Sequence, residues 1–127
     1  MGSTAAKTIL IVDDTVDTVD LLSFCVQAHG CNPVTAYDGA EAIEQAQRYK
    51  PQLIFMDIRM PVMDGYEATQ RILSIPELAA TPIIAVSAHC DGQWRERALA
   101  AGCRDCIQKP SDPERFCEAI ERYIGGC

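Results

Sequence analysis

The sequence predicts an α/β fold, a doubly wound parallel sheet of five strands with helices on both faces, and three observations carry that expectation. Short runs of apolar, largely β-branched residues recur along the chain. Between them lie segments whose apolar residues fall at helical spacing, with turn residues at the junctions. The apolar runs do not alternate with polar residues, so each suits burial on both faces, which is the pattern of parallel strands.

The first run is Ile9-Leu10-Ile11-Val12, closed by Asp13-Asp14. Residues 15–28 place Val16, Val19, Leu22, Cys25 and Val26 on one helical face, and His29-Gly30 ends that helix. Pro33 to Tyr37 is a short second strand, followed by the turn signal Asp38-Gly39. Ala40 to Tyr49 is helical with Ala42, Ile43 and Ala46 inward, and Pro51 separates it from the third strand, Leu53-Ile54-Phe55-Met56. Residues 65–74 form a helix and residues 75–82 a loop with two prolines. Ile83-Ile84-Ala85-Val86 is the fourth strand, ending at Ser87. Asp91 is placed to cap a helix through Ala101, with Gly102 as its stop. Cys106-Ile107-Gln108 is the fifth strand, ending at Lys109-Pro110, and Asp112 caps a last helix that Gly125-Gly126 terminates. Right-handed crossovers favour the strand order 2-1-3-4-5, the flavodoxin-like arrangement.

With 127 residues, 48% hydrophobic and 23% charged, the chain suits one globular domain with a real core. A net charge of −7 argues against direct nucleic-acid binding and against an anionic membrane surface. No apolar stretch approaches the roughly 18 residues of a membrane span, and the N-terminus carries no hydrophobic signal segment. The chain opens Met-Gly, but Ala6 stands where a myristoylation signal needs Ser or Thr. Residues 1–6 are therefore expected to be a flexible leader and residues 7–125 the domain, with no output module after the last helix and a cytoplasmic location. Seven cysteines is an odd count, so complete internal pairing is excluded. They are expected to be reduced thiols filling apolar space. The C-x-x-C at Cys103–Cys106 follows a helix stop rather than opening a helix, and no second pair would complete a zinc site.

The strand order gives the strand ends their meaning, because ligands of such sheets sit outside the carboxyl ends near the switch in order. Asp13 and Asp14 follow strand 1, Asp57 strand 3, Ser87 strand 4 and Lys109 strand 5. These strands are neighbours, so the five side chains can share one pocket. Taken singly each has an ordinary role: Asp13-Asp14 as a helix cap, Asp57 as a strand-end charge, Ser87 as a cap and Lys109 as a solvated cation. Their coincidence is harder to dismiss. Three carboxylates repel one another unless compensated, and oxygen-only ligands on a shallow surface suit Mg²⁺. A lysine offers a point charge to a phosphoryl oxygen, and a carboxylate can accept a phosphoryl group as an acyl phosphate.

These motifs, ILIVDD at 9–14, MDIRMPVMDG at 56–65, VSA at 86–88 and KP at 109–110, resemble the receiver domain of two-component response regulators from Lys7 to Ile124. The resemblance implies a signalling domain, not an enzyme for a separate substrate, catalysing only its own phosphorylation and dephosphorylation. It implies that Asp57 takes a phosphoryl group from a phosphohistidine on a histidine kinase or histidine phosphotransfer protein. Asp14, Asp57 and the Arg59 backbone carbonyl would hold Mg²⁺ (or Mn²⁺), with Asp13 acting through a water. Ser87 and Lys109 would contact the phosphoryl oxygens, with the Lys109-Pro110 peptide cis, and Met60-Pro61 with Asp64-Gly65 would shape the loop. A downstream protein would bind helix 4, strand 5 and helix 5, where Trp94, Arg95 and Arg97 supply an aromatic and two cations. In one place the chain departs from the pattern. The family has Tyr or Phe three residues before the lysine, a ring that moves inward on phosphorylation, and here that position is Cys106.

Other readings fit less well. A haloacid-dehalogenase-type phosphatase needs D-x-D, and Asp57-Ile58-Arg59 lacks the second acid. A flavodoxin needs a Gly/Ser/Thr phosphate loop after strand 1, where this chain is Asp-rich and would repel phosphate. An interaction module that is never phosphorylated would have no use for a complete acceptor set.

Overall fold

The computed structural model describes residues 7–109 and 113–125. The leader, the Lys109-Pro110 peptide and the Asp112 cap lie outside those residues. Five strands, β1 (Thr8–Val12), β2 (Asn32–Ala36), β3 (Leu53–Asp57), β4 (Ile83–Ser87) and β5 (Asp105–Gln108), pair in parallel in the order β2-β1-β3-β4-β5. Five helices connect or follow them: α1 (Val16–Ala28), α2 (Gly39–Tyr49), α3 (Gly65–Leu73), α4 (Gly92–Ala101) and α5 (Pro113–Ile124). This is the predicted doubly wound sheet.

Because side chains alternate across a strand, the unbroken apolar runs feed two cores at once. Ile9, Ile11, Leu53, Phe55, Ile84, Val86 and Ile107 pack with α1 and α5. Leu10, Val12, Ile54, Met56, Ile83, Ala85 and Cys106 pack with α2, α3 and α4. Phe55 meets Phe116 of α5 edge to face at 5.6 Å, an arrangement that ring quadrupoles favour.

Helix starts follow local chemistry where a carboxylate is available. Asp38 caps α2 by accepting the Glu41 amide at 2.7 Å, and Asp64 caps α3 by accepting the Glu67 amide at 2.9 Å. Gly102 ends α4 at φ 115, a left-handed conformation suited to glycine. Four expectations need correction. Asp91 stands at the start of α4, but its side chain makes no capping bond. Residues 75–82 are not all loop, since Pro76–Leu78 forms a short 3₁₀ turn that buries Leu78. Val16 does not join the core face of α1: as the first residue of that helix, it is 60% exposed. The cysteines are not all reduced thiols. Cys90 and Cys106 form a disulfide, Cys31 is also disulfide-bonded, and Cys25, Cys103 and Cys117 are free. The C-x-x-C pair itself is not bridged, because buried Cys103 instead lies 3.8 Å from the Thr69 hydroxyl.

Candidate phosphoryl-acceptor site

Parallel pairing brings the carboxyl ends of β1, β3, β4 and β5 side by side, and the five predicted side chains sit there. Asp13 is 1% exposed just beyond β1, and its amide continues the ladder to the Ala36 carbonyl at 3.0 Å. One of its carboxylate oxygens accepts the Thr15 amide at 2.8 Å and the other accepts the Lys109 ammonium at 2.8 Å. Asp13 therefore braces the lysine, and the residue flanking α1 as its cap is Thr15. Asp14 faces solvent.

Asp57 ends β3 at 3% exposure. Its Oδ1 accepts the Arg59 amide at 3.2 Å and lies 3.5 Å from Lys109 Nζ. Ser87 ends β4, buried, with its hydroxyl accepting the His89 amide at 3.2 Å. The Lys109 amide donates to the Ser87 carbonyl at 2.7 Å, which ties the lysine's backbone to the same edge. α3 fits against this edge only because Gly65 has no side chain. A Cβ there would strike the Asp57 carbonyl oxygen and the Ile58 backbone. In the intervening loop Val62 is held at φ 69, which β-branched residues seldom adopt, so strain sits beside the site.

The electrostatics follow from this crowding. One oxygen from each of Asp13, Asp14 and Asp57 lies within 4.8 Å of the others. Burial, and then the charge of Asp13, raise the Asp57 carboxyl pKa to about 6, with Lys109 and the Arg59 amide opposing the shift. Burial also works against the Lys109 ammonium, but its hydrogen bond to Asp13 and the nearby carboxylate charges outweigh that and raise its pKa. One lysine faces three carboxylates. The all-oxygen donor set suits a hard divalent cation, which would supply the missing positive charge.

Outside this cluster an open cleft of about 660 Å³ extends from Asp14 and Ser87 past Arg59 toward Tyr66, Trp94 and Arg97. His89 stacks on Trp94 at 5.3 Å, and Arg97 lies 4.5 Å over the Tyr66 ring. Sequence reasoning missed Tyr66, whose position in the first turn of α3 gives no local signal of a partner on α4. The structure also divides the predicted α4 group. Trp94 and Arg97 turn toward the cleft, while Arg95 pairs with Asp105 of β5 at 3.1 Å.

Comparisons with known proteins agree with this geometry. The response regulator receiver domain family matches residues 9–121. The polar-differentiation response regulator DivK of Brucella anthropi is 34% identical over 94% of this chain and 97% of its own length. The chemotaxis protein CheY4 of Vibrio cholerae superposes with a TM-score of 0.89 at 28% identity, covering 94% of this chain and all of that one. The receiver domain of a sensor histidine kinase from Pseudomonas aeruginosa, with a magnesium ion coordinated in its active-site cleft, superposes at 0.86 and is 32% identical, covering 95% and 99% of the two chains. Fold, strand-end cluster and these relatives lead to one conclusion: the chain belongs to the response regulator receiver domain family of two-component signalling systems.

Proposed function

We infer that Asp57 is the phosphoryl acceptor and that the chain takes its phosphoryl group from a phosphohistidine on a histidine kinase or a histidine phosphotransfer protein. The observation that carries this reading is the carboxylate cluster with Lys109 Nζ reaching both Asp13 and Asp57. A carboxylate oxygen of Asp57 attacks phosphorus, the P–N bond breaks, and the imidazole leaves with the electron pair and a proton. In loss of the group a water oxygen attacks phosphorus, the P–O bond to Asp57 breaks, Asp57 leaves as a carboxylate, and the water's proton passes to the phosphate or to solvent. Both steps demand alignment and charge neutralisation more than covalent chemistry.

Asp14, Asp57 and the Arg59 carbonyl would hold Mg²⁺, which when bound supplies positive charge to the phosphoryl oxygens. Asp13 accepts from Lys109 and so positions that ammonium toward a phosphoryl oxygen on Asp57. Ser87, at the end of the adjacent strand, supplies a hydroxyl to another. Phosphorylation would then alter the surface formed by α4, β5 and α5, where Arg95 of the predicted group pairs with Asp105. The work of the domain is signalling in the cytoplasm, with its chemistry confined to its own acceptor.

Incubation with acetyl phosphate and Mg²⁺, followed by intact mass, tests the assignment. One added phosphoryl group is expected on the parent and none on Asp57→Asn. Asp14→Ala should keep the fold and lose Mg²⁺ affinity by about tenfold or more. Phosphorylation of Asp57→Asn at the parental rate would overturn the acceptor assignment, and unchanged Mg²⁺ affinity in Asp14→Ala would overturn the metal ligand.

A further inference from the structure

Cys106 occupies the middle of β5, paired opposite Ala85, and is buried in the core beneath α2, α3 and α4. Cys90 lies three residues past Ser87 in the loop that leads to α4, and it is only partly buried. The disulfide between them spans a Cα–Cα distance of 5.7 Å and fastens that loop to β5. The loop's other ties are weak or local: His89 stacks on Trp94 at 5.3 Å and its amide meets the Ser87 hydroxyl at 3.2 Å. The Cys90 amide reaches Gln108 Oε1 at a long 3.4 Å, Ala88 and His89 are exposed, and the side chain of Asp91 makes no capping bond. Gly92, at φ 51, has open space around it.

The loop and the Ser87 hydroxyl are coupled through the His89 amide that the hydroxyl accepts. A bond fixing Cys90 therefore restrains the group placed to meet a phosphoryl oxygen. Resting on the acceptor reading above, we propose that the Cys90–Cys106 disulfide is a reversible, dithiol-reducible site that gates phosphorylation of Asp57, slow when oxidised and fast when reduced.

The reductant is a dithiol, protein or small molecule. Its thiolate attacks the partly exposed Cys90 sulfur, the S–S bond breaks, and Cys106 leaves as a thiolate and takes a proton. The dithiol's second thiolate then displaces Cys90, closing its own disulfide. Two electrons and two protons pass to the protein. The core tolerates the product, because a reduced Cys106 is still a small apolar side chain. A disulfide on a loop, with one sulfur reachable, is of the labile kind, and in a reducing compartment such bonds serve as sensors.

The full chain purified without reductant is compared with the same protein treated with dithiothreitol. Alkylation and peptide mass should find Cys90 and Cys106 blocked before treatment and modified after it. Amide hydrogen exchange across residues 88–91 should speed up on reduction, and acetyl phosphate with Mg²⁺ should phosphorylate the reduced form roughly fivefold faster or more, the scale of a typical coupling. Cys90→Ser purified without reductant should already be phosphorylated as fast as the reduced parent. Exchange at 88–91 unaltered by reduction would overturn the tether. Equal phosphorylation rates in the two redox forms, or an untreated Cys90→Ser protein as slow as the oxidised parent, would overturn the gate and leave the acceptor reading standing. No phosphorylation in either form would instead overturn the acceptor reading and the gate with it, while faster exchange on reduction would still support the tether.

Discussion

At the amino edge of the sheet the chain is sewn together by neutral hydrogen bonds. The Asn32 amide donates to the Lys7 carbonyl at 2.8 Å, Gln52 to Thr8 at 2.8 Å, and Arg104 to Ile83 at 2.8 Å. The Gln52 side chain accepts the Thr8 amide at 2.7 Å. At the carboxyl edge, a few residues along the same strands, three carboxylates crowd together, one lysine reaches two of them, and a valine is held at positive φ. One edge satisfies its polar groups and the other leaves negative charge in excess. The difference teaches where this fold spends stability: a surplus of buried charge is retained at the edge where we propose that a cation and a phosphoryl group are received.

The largest expected effect tests how tightly α3 is seated on the carboxyl edge. Gly65→Ala should destabilise the protein by about 3 kcal/mol, because the new methyl meets backbone that cannot yield as a side chain does. Urea unfolding measures it, and a change below about 1 kcal/mol would show that the seat is looser than described.

Next is the cost of the charge itself. The Asp57 pKa is raised from 3.8 to about 6 in the folded protein, so the folded state holds a proton that the unfolded chain releases. The stability this confers is fully present below about pH 4 and is lost as pH rises through 6. The shift corresponds to about 3 kcal/mol, lowered to about 2 by water on the open side of the cleft. In metal-free protein Asp57→Asn should therefore exceed the parent in stability at pH 8 and lose that advantage toward pH 4. Parallel stability curves for the two proteins would contradict the excess-charge account.

The amino edge supplies the control. Gln52→Ala should cost about 1 kcal/mol, the worth of one ordinary hydrogen bond, with no effect on phosphorylation and no new pH dependence. A loss of phosphorylation there would erase the functional distinction between the edges.

The smallest effect concerns how long the signal lasts. Arg59 lines the cleft two residues past Asp57, the proposed acceptor, where a long cation can lie across the phosphoryl oxygens and block an in-line water. Arg59→Ala should shorten the acyl-phosphate half-life by roughly threefold, a change of less than 1 kcal/mol in the barrier. His89, engaged in its stack with Trp94, should matter less when replaced by Ala. A longer half-life in Arg59→Ala would reverse the sign of the argument and make the guanidinium a stabiliser of the transition state.

The sequence by itself determined the strand count, the strand order and the residues at the strand ends. Unbroken apolar runs can be buried only between two helical layers, and the short helical segments between them allow only right-handed crossovers. Asp13, Asp57, Ser87 and Lys109 were legible because a residue that follows such a run has one place to go. What only the tertiary structure decided are relations between segments. The raised pKa of Asp57 depends on how deeply β3 is covered and on Asp13 arriving from β1. Val16 keeps helical spacing with Val19, yet at the first position of α1 it stays 60% exposed and enters no core. Trp94 and Arg97 part from Arg95 because successive helical positions face different neighbours. The Cys90–Cys106 bond is the clearest case. Fifteen residues, all of α4 among them, separate the two thiols, and nothing in their spacing pairs them. They meet because β5 lies beside β4 in parallel, which brings the middle of one strand under the loop that leaves the other.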